Sequence, residues 1–395
     1  MDTKETLIGL ALTLALTGCG GDSGSAVEEP SVSEPELVSG FTLEQRRAHK
    51  EIINAEFAEN RSIAGAGVKV AVFDRGINIE HKEFNGRTIN QNSRKVVSGF
   101  NYLTEEEHQF TAENQYRTFD DGPQVDENGH GTAVSSLIIG EEGGVAPDVN
   151  LLVIDITRTS VFMDGSVVIG MIDEIANNGF DFASVSVGGV DFFIDSSKYD
   201  FGSAETDEKP YWDKLAERDI GLITAAGNDS KDLTVKRSAD SSFDEGAALV
   251  LAVSDPVIAP QFLYVGAITS TGEPSELSNT PGSDADIQDR FILAPGINVV
   301  APSHTNNQSL GMWSGTSFPT PIVTGAAALV KSQNPTLSNR TVLTVLLESA
   351  DRSFEGYDPE LHGQGILDIE AALTFDTSDY RRRQIRNAGR DRHSL

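Results

Sequence analysis

Short apolar runs alternate with amphipathic stretches from residue 68 to residue 268, and this alternation constrains the fold more than any other feature. Residues 68–73, 151–156, 182–187, 220–224 and 262–268 are runs of Val, Ile, Leu, Ala and Phe with the length of strands buried on both faces. Between two of them, Val167, Val168, Met171, Ile172 and Ile175 recur at spacings of three and four, which is the apolar face of a helix. Residues 317–331 and 338–349 also read as helices, because a proline such as Pro321 is tolerated in a first turn. Residues 42–60 have helical character, with an imperfect apolar face of Ile52, Ile53, Ala55 and Phe57. Strand, helix, strand alternation predicts an α/β fold, a mostly parallel sheet with helices on both faces. In such folds reacting groups gather at the carboxyl ends of strands.

A chain of 395 residues buries a sizeable core, and its composition removes several functions. With 60 acidic against 30 basic residues the formal charge is −30, which argues against a nucleic-acid binder, because phosphate recognition needs a basic face. A single cysteine excludes an internal disulfide and a Cys-rich zinc site.

The longest apolar stretch, residues 7–16, is too short to span a bilayer and has the length of a signal-peptide core. Leu16-Thr17-Gly18-Cys19 follows it and resembles the lipobox of bacterial lipoproteins, with the one cysteine of the chain at the acylated position. That resemblance implies a signal peptide over 1–18, a palmitate-bearing lipid anchor on Cys19 and a place in the bacterial cell envelope. Gly20 in place of an aspartate favours the outer membrane. Residues 19–41, rich in Gly, Ser, Pro and Glu, read as a flexible acidic tether.

Three constellations fit the strand-end rule. Asp74 ends the first strand, His130 stands between two glycines at a helix start, and Ser317 opens the Ala-rich helix. Together they supply an orienting carboxylate, a base and a nucleophile. VKVAVFDRGINIEH, GHGTAVSSLI and SGTSFPTPIVTGAAALV resemble the aspartate, histidine and serine segments of the subtilisin-like serine peptidases, the subtilases. SVSVGG, TAAGND, APGINVVAP and GQGILDIEAAL resemble further landmarks in the same order, so that the likeness covers residues 66–374.

The resemblance implies a serine endopeptidase acting through an acyl-enzyme, with Asp74, His130 and Ser317 as the triad and Asn228 as an oxyanion donor. It also implies a substrate-pairing strand of Ser186, Val187, Gly188 and Gly189. The peptidase domain is expected over 42–376 and a basic tail over 377–395, whose stretch from 381 sets six arginines against Asp391. Autotransporter-type subtilases share the pattern and continue into a membrane barrel; no barrel-length run of alternating strands is read here. No cofactor and no metal are expected: Glu83 falls at a calcium-ligand position of the family, but one carboxylate does not make a site. The expected partners are polypeptide substrates and the membrane, the latter through the lipid, and the chain is expected to be a monomer.

Three departures from the family pattern stand near the triad: Arg75, Ala133, and the pair Phe318-Pro319. Residues 104–127 carry eight acidic side chains against Arg117, a solvated surface or, beside the cleft, a bias toward basic substrates. Two rival functions remain at this level: a peptide-binding envelope protein without catalysis, and an esterase.

Overall fold

The computed structural model describes residues 40–74, 76–89, 94–96, 116–118, 129–155, 175–186, 209–234, 255–303, 305–378 and 380. Eight strands among them form one sheet: β1 (Lys69–Asp74), β2 (Arg94–Val96), β3 (Tyr116–Thr118), β4 (Asn150–Asp155), β5 (Phe182–Val185), β6 (Gly221–Ala225), β7 (Phe262–Ile268) and β8 (Phe291–Pro295). Their order is β3-β2-β4-β1-β5-β6-β7-β8. All neighbours are parallel except β2 and β3. A separate hairpin joins β9 (Val299–Pro302) to β10 (Leu310–Trp313).

The expected α/β architecture is present. β7 occupies the expected residues, while β1, β4, β5 and β6 differ from expectation by one or two residues at their ends. β8 and the hairpin are additional strands. The helix expected over 167–175 lies outside the described residues except at its end, where residues 175–177 are helical. The signal segment 1–18, Cys19 and the tether to residue 39 also lie outside them. So do the basic tail from 381 and the acidic segment 104–127 apart from 116–118.

Period-2 alternation assigns the two faces of the sheet. Val70, Val72, Leu151, Val153, Phe182, Ile223, Leu263 and Val265 pack on one side with α2 (His130–Ile139), which follows α1 (Leu43–Ile52) in the chain. Ala71, Phe73, Leu152, Ile154, Ala183, Val185, Leu222, Phe262 and Tyr264 pack on the other side, where Leu215 of α3 (Lys209–Arg218) joins them. The first layer also receives α4 (Pro319–Gln333), α5 (Asn339–Ser349) and α6 (Ile369–Thr374).

Every residue of α4 from Pro319 to Val330 is buried. Small side chains make that burial feasible: a Cβ added at Gly325 would stand 2.7 Å from Cβ of Val145. The open edge of β8 is closed by the chain at 365–367, through Leu293 N–H to Gly365 O (2.9 Å) and Leu367 N–H to Leu293 O (2.8 Å). The packed body continues past the boundary expected at 376. Thr377 is buried, and the Tyr380 hydroxyl donates to Glu348 at 2.7 Å.

Strand order also locates a cleft. From β4 on one flank of β1, the chain passes to β5 on the other flank, so the direction of winding reverses around β1. Ligands of open α/β sheets sit at the carboxyl ends of the strands beside such a reversal. The residue at that end of β1 is Asp74.

Candidate active site

Asp74 and His130 meet at this point although 56 residues separate them. Nδ1 of His130 lies 2.8 Å from Oδ1 and 3.0 Å from Oδ2 of Asp74. The pair is shielded from water, with Asp74 0 % and His130 3 % exposed. A carboxylate only accepts, so Nδ1 carries the proton and Nε2 is left as the basic nitrogen of the ring.

Local backbone makes this contact possible. His130 is the first residue of α2, after Gly129 in the left-handed region (φ 77°). A Cβ at Gly131 would come within 2.0 Å of Gly76 O and 3.1 Å of Asp74 Oδ1, so only glycine lets the helix start approach the aspartate strand this closely. Thr132 ties the same turn to the loop after β1 by accepting the N–H of Asn78 at 2.8 Å.

Ser317 is 1 % exposed and stands just before α4. The helix begins at Pro319, two residues later than the sequence pattern predicts, because Pro319 takes the first helical position, where a missing N–H costs nothing. The residue after Ser317 packs near His130: the ring of Phe318 lies 5.6 Å from the imidazole, and that of Trp313 lies 6.2 Å from it. The hairpin fixes Trp313, whose indole N–H donates to Pro302 O at 2.9 Å. No hydrogen bond joins Ser317 to His130 Nε2 among the described residues. Such bonds commonly tighten only when substrate is bound.

Asn228 lies in the turn after β6. Its Oδ1 accepts the backbone N–H of Thr316 at 2.8 Å and the Thr316 hydroxyl at 3.0 Å. The backbone N–H needs an acceptor, which assigns the amide oxygen to that side and leaves Nδ2 as the donor end of the amide. Thr316 in turn accepts the N–H of Gly227 at 3.1 Å. A Cβ at Gly315 would lie 3.4 Å from Nδ2 of Asn228, so the amide faces the bend that leads into Ser317.

Of the expected substrate strand, Ser186 is buried directly after β5, while Val187, Gly188 and Gly189 lie outside the described residues, as does Arg75. β5 pairs with β1 in the register Val72 to Ser184, which carries Ser186 to the level of Asp74.

Sequence reasoning did not single out Thr316 or Asn279. Thr316 falls inside the serine motif without a role of its own and Asn279 outside every motif; their partners lie 88 or 89 and 48 to 53 residues away in the chain, so no local pattern shows what they bond.

Glu83 is buried and engaged: Oε1 pairs with Arg46 of α1 at 2.5 Å, and Oε2 accepts the N–H of Glu142 at 3.2 Å. Its surroundings hold two further buried histidines. His49 faces Gly143 O through Nε2 at 2.8 Å, and burial pushes its pKa down to about 4. His81 faces Ser309 O through Nε2 at 3.0 Å, and burial lowers its pKa as well. Among the described residues no three His, Cys, Asp or Glu side chains are grouped to share a metal ion.

Residues 65–366 match the sequence model of a family described as the Subtilase family. Subtilisin DY of Bacillus licheniformis is 28 % identical over 326 residues, which span 81 % of this chain and 96 % of the relative. Among solved structures, the MycP3 protease from the type VII (ESX-3) secretion system superposes with a TM-score of 0.57 at 23 % identity, over 88 % of this chain and 94 % of that one. The prenylagaramide maturation protease PagA does so with a TM-score of 0.56 at 23 % identity, over 81 % and 97 %. At these identities the two structures speak for the fold.

Proposed function

The chain belongs to the subtilase family and is a subtilisin-like serine endopeptidase, and from that premise we propose that Asp74, His130 and Ser317 are its catalytic triad. The buried contact of His130 with both carboxylate oxygens of Asp74 is the observation that carries this assignment. With its proton held at Nδ1, the imidazole takes the Ser317 hydroxyl proton at Nε2 as Oγ attacks the scissile carbonyl. It then returns that proton to the leaving amine. Asp74 keeps the tautomer and stabilises the imidazolium. The carbonyl oxygen, negative in the tetrahedral state, is met by the N–H of Ser317 and by Nδ2 of Asn228, whose other end is engaged by Thr316. Water repeats the sequence on the acyl-enzyme.

Ser186, Val187, Gly188 and Gly189 are proposed to pair with an extended polypeptide as an added strand, where backbone bonding gives affinity without strong side-chain selection. Reaction with a fluorophosphonate probe tests the enzyme reading. Labelling of the wild type and none of Ser317→Ala is expected. Equal labelling of both, or of neither, would remove the triad. Casein cleavage separates the endopeptidase from an esterase.

The N-terminal reading extends the same proposal: removal of residues 1–18, acylation of Cys19, and a tether over 19–41 that holds a monomeric peptidase domain at the bacterial envelope, at the outer membrane. Support comes from the LTGC motif and the composition behind it. Metabolic labelling with a palmitate analogue, followed by detergent phase partition, is expected to place the wild type in the detergent phase and Cys19→Ser in the aqueous phase. Failure of Cys19→Ser to move would end the lipoprotein reading.

A further inference from the structure

The geometry points to Asn279 as the positioning residue of the oxyanion donor: its buried side-chain amide clamps the backbone on both sides of Asn228 and so fixes where the Asn228 amide points. Asn279 is 0 % exposed. Its Nδ2 donates to Ala226 O at 2.9 Å. Its Oδ1 accepts from Asp229 N–H at 3.2 Å and from Lys231 N–H at 2.9 Å. Its own N–H donates to Gly227 O at 2.9 Å. The two residues before Asn228 and two of the three after it are thus bonded to one residue that lies about 50 positions further along the chain.

Space is as tight as the bonding. Gly227 has a φ of 99°, and a Cβ there would stand 2.4 Å from Nδ2 of Asn279, so the loop is folded onto this amide with no room for a side chain between them. Asn279 is itself fastened to the sheet by Ser278. The Ser278 hydroxyl donates to Asn279 O at 2.9 Å and accepts Ala267 N–H of β7 at 3.1 Å. A rigid path therefore runs from β7 through Ser278 and Asn279 to the turn that bears Asn228. Thr316 sets the amide from the Ser317 side, and Asn279 sets its backbone from the opposite side. Stabilising a transient oxyanion needs a donor that does not reorganise during the reaction, and a buried amide bonded at both ends is suited to hold one.

The inference rests on the oxyanion role proposed for Asn228, and the two are separable in one experiment. kcat and KM are measured on a peptide substrate for Asn228→Ala, Asn279→Ala and the double variant. Each kcat is normalised to active sites counted by saturating fluorophosphonate titration. Asn228→Ala is expected to lower kcat ~10²–10³-fold, the usual cost of one such donor, and no fall would overturn the Asn228 reading itself. Asn279→Ala is expected to lower kcat about 10-fold or more with KM changed by less than about threefold, since misplacing a fixed group costs rate and not binding. In the Asn228→Ala background the same substitution is expected to cost less than about twofold, because its effect acts through the missing amide. Equal losses in both backgrounds, a change confined to KM, or an unchanged kcat overturns the positioning role. Should Asn279→Ala yield no titratable sites, Asn279→Ser is read by the same criteria.

Discussion

The ring of Phe318 lies 5.6 Å from the imidazole of His130, so the residue that follows the proposed nucleophile in the chain is also a wall of the proposed base. Trp313 stands 5.3 Å from Phe318 and completes the wall. His130, Trp313 and Phe318 therefore pack as one aromatic cluster beside Ser317 in the chain.

Phe318→Ala should expose what this packing contributes. Phe318 is fully buried, and truncation leaves a cavity beside the imidazole that costs about 3–5 kcal/mol of stability. The imidazole gains freedom, and kcat is expected to fall further than the loss of folded protein explains. Phe318→Leu, closer in volume, is expected to lose markedly less of both. Urea denaturation and kcat on titrated enzyme check the pair.

Gly131→Ala is expected to be far more damaging than its size suggests. The added methyl would stand 2.0 Å from the backbone oxygen of Gly76, so the start of α2 must move and carry His130 with it. A displacement of about 1 Å is enough to lower kcat/KM by roughly 10²-fold. Peptide hydrolysis by the folded fraction measures it.

Stability should fall on the acid side of neutrality because of His49. Its pKa is about 4 in the folded chain, against the ordinary 6.5, since burial disfavours the charged ring. Between those values the unfolded chain binds a proton that the folded chain does not. The stabilisation is complete above pH 6.5 and is lost as pH falls toward 4, by about 2 kcal/mol at pH 5. His49→Gln keeps a donor for Gly143 O and cannot titrate. Its stability is expected to change less between pH 7 and pH 5, read from urea midpoints, with His81 adding a slope of the same sign in both proteins.

Arg46→Ala is expected to destabilise the protein by about 2–4 kcal/mol, because it strands the Glu83 carboxylate, 4 % exposed, without its cation. The partner change Glu83→Gln leaves Arg46 free to reach solvent and should cost less. A double-mutant cycle on denaturation midpoints is expected to show coupling between the two; strict additivity would show that the ion pair contributes nothing.

Much of this molecule was legible before folding was considered. β7 is an apolar run bounded by polar residues and was placed to the residue, and Asp74 and His130 stand in motifs whose spacing survives in the structure. β8 was not read as a strand, because FILAP is short and ends at Pro295. Its partner is β7, and its outer edge is met by residues 365–367, more than 70 positions away. Apolar periodicity starts the helix after Ser317 two residues early, since it does not register that Pro319 sets the first turn. The bonds of Thr316 and Asn279 and the Arg46–Glu83 pair are not legible for one reason: each depends on a partner brought near only by folding.

The helix that follows Ser317 is buried at every residue from Pro319 to Val330, and this ties catalytic failure to collapse of the whole body. A nucleophile carried by a surface loop loses its alignment by local fraying, long before the remainder melts. Here the first turn of α4 cannot loosen without opening the layer against which β1, β5, β6, β7 and α2 also rest. Loss of peptidase activity on heating should therefore track loss of tertiary structure in one step, and survival of the fold should suffice for survival of the enzyme.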